Sequence, residues 1–438
     1  MLADGYDRVT VVERDQLPAR VTQRRGVPQG RHLHALLPSG CGVVGELFPG
    51  LLDELVGAGG TKLADYRRMH FLPDGTHRLS PDLVLEPVYQ PSRPLLETGV
   101  RARVRGLSNV EFRDGCEAVG LVTDESRGRV TGARVVDHGG RAEEVLAADL
   151  VVDATGRGSR TPAWLAALGY ERPAQDEVVV DVRYVSRLVR LPPGAVPEVL
   201  VVIGASPERP AGMGLFAYED DTWMFTVSGY GGHNPAPDYE SMVDVVAGFA
   251  PPHLVAALRE AEPLDDVSTF RFRANRRLRY DRMRRAERLL VFGDAMCGVN
   301  PIYGQGMSVA ALEALELRKC LRRGDRDLAR RFFRAAAKPV GVAWRLAVGA
   351  DLALPQVDGP RPLPVRLVSS YVSRLLVAAE HDPVVAERFL RVSAFLMRPP
   401  TIMSPRIVAR VVAGNRRARR VTPEPAMPES AKAGTHGT

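Results

Sequence analysis

The stretch Gly293-Asp294-Ala295-Met296-Cys297-Gly298-Val299-Asn300-Pro301-Ile302-Tyr303-Gly304-Gln305-Gly306-Met307 decides how this 438-residue chain is read. Before it, Arg288-Leu289-Leu290-Val291-Phe292 is a short, mostly apolar run followed by turn residues, the pattern of a strand buried on both faces of a parallel sheet. Asp294 then falls at a strand's carboxyl end, where open α/β sheets bind ligands. Residues 308–321 mix small Ala310, Ala311 and Ala314 with Leu312 and Leu315 and set Glu316 one turn before Lys319, which reads as a closely packed helix. An acid at a strand end followed by a glycine-rich helix entry offers a carboxylate for ligand hydroxyls. It also offers free N–H groups and a helix dipole for an anionic or electron-rich group. The same residue types make ordinary turns and caps, so taken alone they leave both readings open.

The whole string resembles the second flavin-binding motif of the FAD-dependent monooxygenases that share the aromatic-hydroxylase fold. The match is carried by Asp294, Pro301, Gly304, Gln305, Gly306 and Met307. Cys297 stands where many members carry His, which points to the polyene and squalene epoxidase-like branch. The resemblance implies that Asp294 holds the ribityl chain of FAD and that the 301–307 segment runs beside the flavin ring. It also implies an α/β fold: a doubly wound FAD-binding domain, an inserted antiparallel β-sheet substrate domain and a helical C-terminal region.

Toward the amino end, residues 8–12 read as a strand ending at Glu13, and in a dinucleotide-binding unit such an acid bonds ribose hydroxyls about 20 residues after a glycine fingerprint. Only twelve residues precede Glu13 and they hold no G-x-G-x-x-G, so the FAD-binding domain is expected to be N-terminally truncated and to lack its glycine loop. Residues 24–37 (RRGVPQGRHLHALL) are rich in Arg, His and Gly. His32 and His34 have no acid or cysteine nearby in sequence, which argues for a surface or cofactor-facing loop over a metal site. Similar strings in the epoxidase-like branch imply that this loop approaches the flavin. Pro73-Asp74-Gly75 between residues 69–72 and 76–79 predicts a hairpin. Ser92 reads as the cap of a helix with Pro94 in its first turn, and by resemblance Arg93 reaches the cofactor.

Residues 117–123, 130–137 and 141–145 alternate and are punctuated by turn signals, which predicts a three-stranded meander. A buried strand at 149–152 follows, ending in Asp153-Ala154-Thr155-Gly156, where glycine admits close backbone approach by a ligand. Residues 177–191, 199–203, 213–218 and 222–228 are β-branched and aromatic runs without intervening helices, hence an antiparallel sheet able to wall a substrate pocket. Trp223 and Phe225 read as plain core residues. Beyond residue 325 the pattern is helical, interrupted by Pro399, Pro400 and Pro405, and residues 421–438 are too poor in bulky apolar side chains to fold.

Composition bounds the rest. A hydrophobic share of 45% with 25% charged residues describes an ordinary folded protein. Four scattered cysteines without C-x-x-C argue against a zinc site or disulfide framework and for a reducing cytoplasm. The formal charge of +7 comes from dispersed arginines, clustered only at Arg416, Arg417, Arg419 and Arg420. That predicts no nucleic-acid partner and leaves a weak membrane-surface option at the C-terminus. No G-x-S-x-G occurs, which sets serine-hydrolase chemistry aside.

These readings divide the chain into a first FAD-binding part with the meander (1–168), a substrate sheet (169–275), a second FAD-binding part (276–325), a helical region (326–420) and a disordered tail (421–438). The cofactor-binding residues implied are Glu13, Arg14, Arg31, Arg93, Gly156, Gly293, Asp294, Pro301, Gly304, Gln305, Gly306 and Met307; none is assigned a catalytic role. The expected activity is monooxygenation of a small apolar metabolite by dioxygen, with FAD as cofactor and NADH or NADPH as electron donor. The alternatives are a truncated or flavin-free non-catalytic homologue, and a reductase or halogenase of the same fold. The halogenases resembling this fold carry W-x-W-x-I-P, which none of Trp164, Trp223 or Trp344 begins.

Overall fold

The computed structural model describes residues 1–139, 143–233, 235–283 and 286–421. The strand Val9–Glu13 pairs in parallel with Val110–Asp114, and Val151–Asp153 pairs in parallel with Leu289–Val291. Leu289, Leu290 and Val291 are at most 4% exposed, as expected of a strand covered on both faces. Phe332 and Phe333 of the long helix Leu328–Asp351 belong to the same core cluster, with Val309 and Leu317 of the helix Gly306–Leu321. That second helix starts at Gly306, two residues before the sequence pattern, and Lys319 meets Glu316 at 2.6 Å.

The meander is present as Cys116–Thr123, Val130–Asp137 and Glu144–Ala147, all antiparallel, with its third strand later than expected; residues 140–142 lie outside the described residues. The second large element is an eight-stranded sheet built on the 16-residue strand Gln175–Arg190, which is flanked by Ser268–Leu278 and Trp223–Tyr230. Phe225 is fully buried in it and Trp223 is partly buried. Two of the sheet's strands come from elsewhere in the chain. Met69–Leu72 adds in parallel to Leu200–Ile203 at one edge, and Cys297–Gly298 pairs with Arg276 and Arg277 at the other. The large sheet therefore ends on the 293–307 stretch itself.

The predicted hairpin at 69–79 forms only its turn. Gly75 sits at φ +75°, and Asp74 accepts the backbone N–H groups of Thr76 and His77 at 3.1 and 2.9 Å. With those amides held locally, the return arm keeps one ladder bond, Leu79 N–H to Phe71 O at 3.0 Å, and is not a strand. The C-terminal region is helical as expected, with Leu363–Ala379, Pro383–Ser393 and Pro405–Val421 following the long helix. The expected disordered tail lies outside the described residues apart from Val421, which ends the last helix. Among the described residues no helix is long and apolar enough to cross a membrane.

Candidate functional site

One cavity of about 3200 Å³ runs between the two parallel strand pairs, the 293–307 stretch and the large sheet. Of the residues singled out from sequence, Glu13, Arg14, Arg93, Gly156, Gly293, Asp294, Pro301, Gly304, Gln305, Gly306 and Met307 line it; Arg31 does not and is exposed. Gly293 and Gly304 carry positive φ of 61° and 62°, so the chain turns sharply at both ends of the stretch. Between them Asn300 caps the short turn Pro301–Tyr303 by accepting the N–H of Ile302 at 3.3 Å.

Asp294 has no hydrogen-bond partner among the described residues, although it is largely enclosed. Burial pushes its carboxyl group up from the ordinary value, while Arg157 and Arg93 pull it back toward ionisation. The guanidinium groups of Arg93 and Arg157 are themselves held below their ordinary value by burial. Arg157 Nη2 donates to Ala274 O at 3.1 Å, its Cζ lies 4.2 Å from the centroid of the Phe272 ring, and Nη1 is buried without a partner among the described residues. Gln305 is 4% exposed and its Oε1 is equally unpartnered, as is Oγ of the fully buried Ser308. Behind Asp294, Glu313 accepts the N–H of Gly293 at 2.8 Å with no exposure at all, and burial raises its pKa to about 8.

Glu13 lies apart from this group at the end of its strand. Its Oε1 accepts the N–H of Asp15 at 3.0 Å and its Oε2 is 3.3 Å from Nη1 of Arg24. Arg24, 9% exposed, also holds Asp15 at 3.0 Å and Glu97 at 2.5 Å. Glu13 is thus partly engaged by protein and also lines the cavity. Arg14 is exposed on the rim, and Gly156 turns at φ +73° with no atom within 4 Å of a side-chain position.

The residues fit a flavin dinucleotide. A part-buried carboxyl group without a partner among the described residues suits ligand hydroxyls; the first turn of a 16-residue helix presents free N–H groups; and orphaned polar atoms of Gln305, Ser308 and Arg157 line or flank the space between them. Sequence reasoning missed Arg157, Glu313, Arg24 and Asn300 as members of this arrangement. Arg157 directly follows the Asp153–Gly156 string, and only its proximity to Asp294 distinguishes it from a surface arginine.

Comparison with known proteins agrees with this geometry. Residues 82–327 match the family model described as FAD binding domain. Protein Rv3254 of Mycobacterium tuberculosis (strain ATCC 25618 / H37Rv) is similar at 38% identity over 434 residues, covering 95% of this chain and 90% of that protein. Among solved structures, the flavin-dependent brominase Bmp2 superposes with a TM-score of 0.61 at 14% identity, covering 95% of this chain and 94% of that one. The p-nitrophenol 4-monooxygenase PnpA from Pseudomonas putida DLL-E4 does so with a TM-score of 0.61 at 15% identity, covering 91% and 94%. At such identities the likeness to these two is one of fold.

Proposed function

We propose a function from one premise: the chain belongs to the FAD binding domain family. The proposed activity is FAD-dependent monooxygenation of a small, largely apolar metabolite, by hydroxylation or by epoxidation as in the polyene and squalene epoxidase-like branch. Bound FAD would supply two-electron uptake from NADH or NADPH and the activation of dioxygen, one oxygen atom entering the product and the other leaving as water. The observation that carries the reading is the Asp294 carboxyl group, which has no hydrogen-bond partner among the described residues and feels the charges of Arg157 and Arg93, on a cavity that the large sheet also lines.

In this reading Asp294 accepts hydrogen bonds from the ribityl chain and Glu13 from the adenosine ribose, while Arg14 and Arg93 balance the ligand's negative charge. Gly293 and Gly156 allow backbone approach. The N–H groups of Gly306 and Met307, with the helix dipole behind them, stabilise negative charge developing beside Pro301, Gly304 and Gln305. Leu200, Val202, Met213 and Phe216 of the sheet keep water from the substrate, which limits wasteful release of peroxide. The test is turnover under labelled dioxygen with NADH or NADPH and candidate polyene and aromatic substrates. Label in the product supports the proposal; a product that gains hydrogen or halide, and never labelled oxygen, replaces it with the reductase or halogenase alternative. Purified protein without a flavin absorbance spectrum would instead favour the non-catalytic reading.

A further inference from the structure

On the side of the large sheet the cavity wall combines aromatic rings with one fixed imidazole. His32, in the turn after Pro28–Arg31, lines the cavity together with Tyr184, Thr226 and Phe270. Its ring centroid lies 5.8 Å from that of Phe270 and 6.4 Å from that of Tyr184, so the imidazole is one member of an aromatic wall. Its Nδ1 lies 2.8 Å from Oγ of Ser186, and that oxygen lies 2.6 Å from Oγ1 of Thr226. Ser186 and Thr226 face each other across paired strands and are 0% and 5% exposed. The imidazole is therefore oriented by a buried two-hydroxyl chain anchored in the sheet. Nε2 has no partner among the described residues.

The same wall continues to the cofactor-binding stretch. Tyr184 donates its hydroxyl to Oδ1 of Asn300, the residue before Pro301. A ligand against His32 is thus held on the element that abuts the loop beside which the flavin would lie.

We propose that His32, held by Ser186 and Thr226, is the polar anchor of the substrate cavity and takes a phenol or enol hydroxyl of an otherwise apolar, ring-bearing substrate. When Nδ1–H donates to Ser186 and Ser186 to Thr226, Nε2 is left as an acceptor for that hydroxyl. Burial, and then the charge of Arg31, lower the imidazole pKa to about 4, so the ring is neutral near pH 7. A phenol titrates near 10, about six pH units higher, so the proton stays on the ligand and the contact is a hydrogen bond rather than a proton transfer. His32 is then a specificity-determining residue and not a general base. A substrate-sized apolar molecule lacking such a hydroxyl leaves Nε2 buried and unpaired, which costs binding.

That this ligand is the substrate rests on the oxygenation reading above; that the site binds a hydroxyl does not. The experiment is therefore equilibrium binding to the flavin-loaded full chain of two isosteric probes, 2-naphthol and 2-methylnaphthalene. Comparing their affinity ratio in the parent and in variants cancels differences in hydrophobicity and general effects on the fold. His32→Phe keeps an aromatic ring against Phe270 and is expected to lower the ratio in favour of the naphthol about five- to tenfold. Ser186→Ala, which keeps the imidazole but frees it, is expected to lower it about two- to fivefold. A ratio unchanged in both variants, equal loss of both probes, or no binding of 2-naphthol by the parent overturns the proposal. Failure of labelled oxygen to enter any product, with the ratio behaving as expected, would overturn the oxygenation reading alone.

Discussion

The carboxylate of Asp351 accepts the side-chain N–H of Asn300 at 2.8 Å in a place where both residues are 0% exposed. Asp351 ends the long helix Leu328–Asp351, and Asn300 opens the turn that leads into Gly304-Gln305-Gly306. Asn275 of the large sheet and Tyr303 donate to the same carboxylate at 2.7 Å each, and Asn275 accepts the backbone N–H of Asn300 at 2.7 Å. Three parts of the chain, helix, sheet and the turn after Asn300, are thus fixed to one another through one buried carboxyl group.

Asp351→Ala removes an acceptor from three side-chain donors, Asn275, Asn300 and Tyr303, of which Asn300 Nδ2 keeps Tyr230 Oη at 3.1 Å, and such a loss costs about 3 kcal/mol. We expect a lower urea midpoint and, because the turn at 300–304 loses its anchor, faster loss of FAD on dilution. Asp351→Asn keeps one acceptor oxygen and should fall between parent and Ala in both measurements. A variant that is destabilised but releases FAD at the parent rate would separate the network from the cofactor site.

Asp294 and Cys297 stand three residues apart and differ in what they can give a ligand. The aspartate has no hydrogen-bond partner among the described residues, whereas the Cys297 thiol is buried and pushed up to about 12, first by that burial, so it stays an uncharged, inert group. Charge-assisted hydrogen bonds are worth about 1.5–3 kcal/mol, so Asp294→Ala should weaken FAD binding roughly ten- to a hundredfold. Cys297→Ser should change it less than threefold on the same scale. Flavin fluorescence on titration measures both, and equal retention by the two variants would remove Asp294 from the proposed site.

What the sequence made legible here was local. The apolar run before Gly293, the turn at Gly304 and the helix beyond it are written in neighbouring residues, and the period-two pattern of the large sheet likewise. Pairing across distance was not. Nothing in Cys297-Gly298 announces that it will close the edge of a sheet against Arg276 and Arg277, and nothing in Asp351, fifty residues on, distinguishes it from a helix-end surface acid. The hairpin at 69–79 failed for the same reason in reverse: its turn chemistry was right, but Asp74 took the amides the return arm needed. His32 was legible only as part of a surface or cofactor-facing loop, and its fixation by Ser186, 154 positions later, was not legible.

Arg24 and Glu13 give a test of whether the strand-end acid serves the fold or the ligand. Arg24 bridges three carboxylates while nearly enclosed, so Arg24→Ala should cost about 3 kcal/mol through the repulsion it releases among Glu13, Asp15 and Glu97. Glu13→Gln keeps an acceptor for the N–H of Asp15 and removes one charge from the cluster. If Glu13 also bonds the ribose, this variant should lose about tenfold in FAD affinity with a smaller loss of stability than Arg24→Ala. An unchanged FAD affinity would leave Glu13 as a partner of Arg24 alone.

Glu313 predicts a pH dependence opposite to that of most carboxylates. Its folded pKa, raised to about 8 first by burial, lies above the unfolded value near 4.3. Below about pH 4.3 both states hold the proton and the residue contributes no pH dependence. Between there and about pH 8 the unfolded chain releases the proton while the folded protein keeps it, so stability falls as pH rises, by up to about 1.4 kcal/mol per unit. Above about pH 8 the folded protein ionises too and the fall levels off. Glu313→Gln retains an acceptor for the N–H of Gly293 and cannot ionise. Asp294, whose carboxyl group is also raised, is present in both proteins, so their difference isolates Glu313. Urea midpoints at pH 5.5 and 7.5 should show the variant gaining about 2–3 kcal/mol relative to the parent over that interval. Parallel pH profiles would mean that Glu313 is already ionised in the folded protein, with water or a cation reaching its free oxygen.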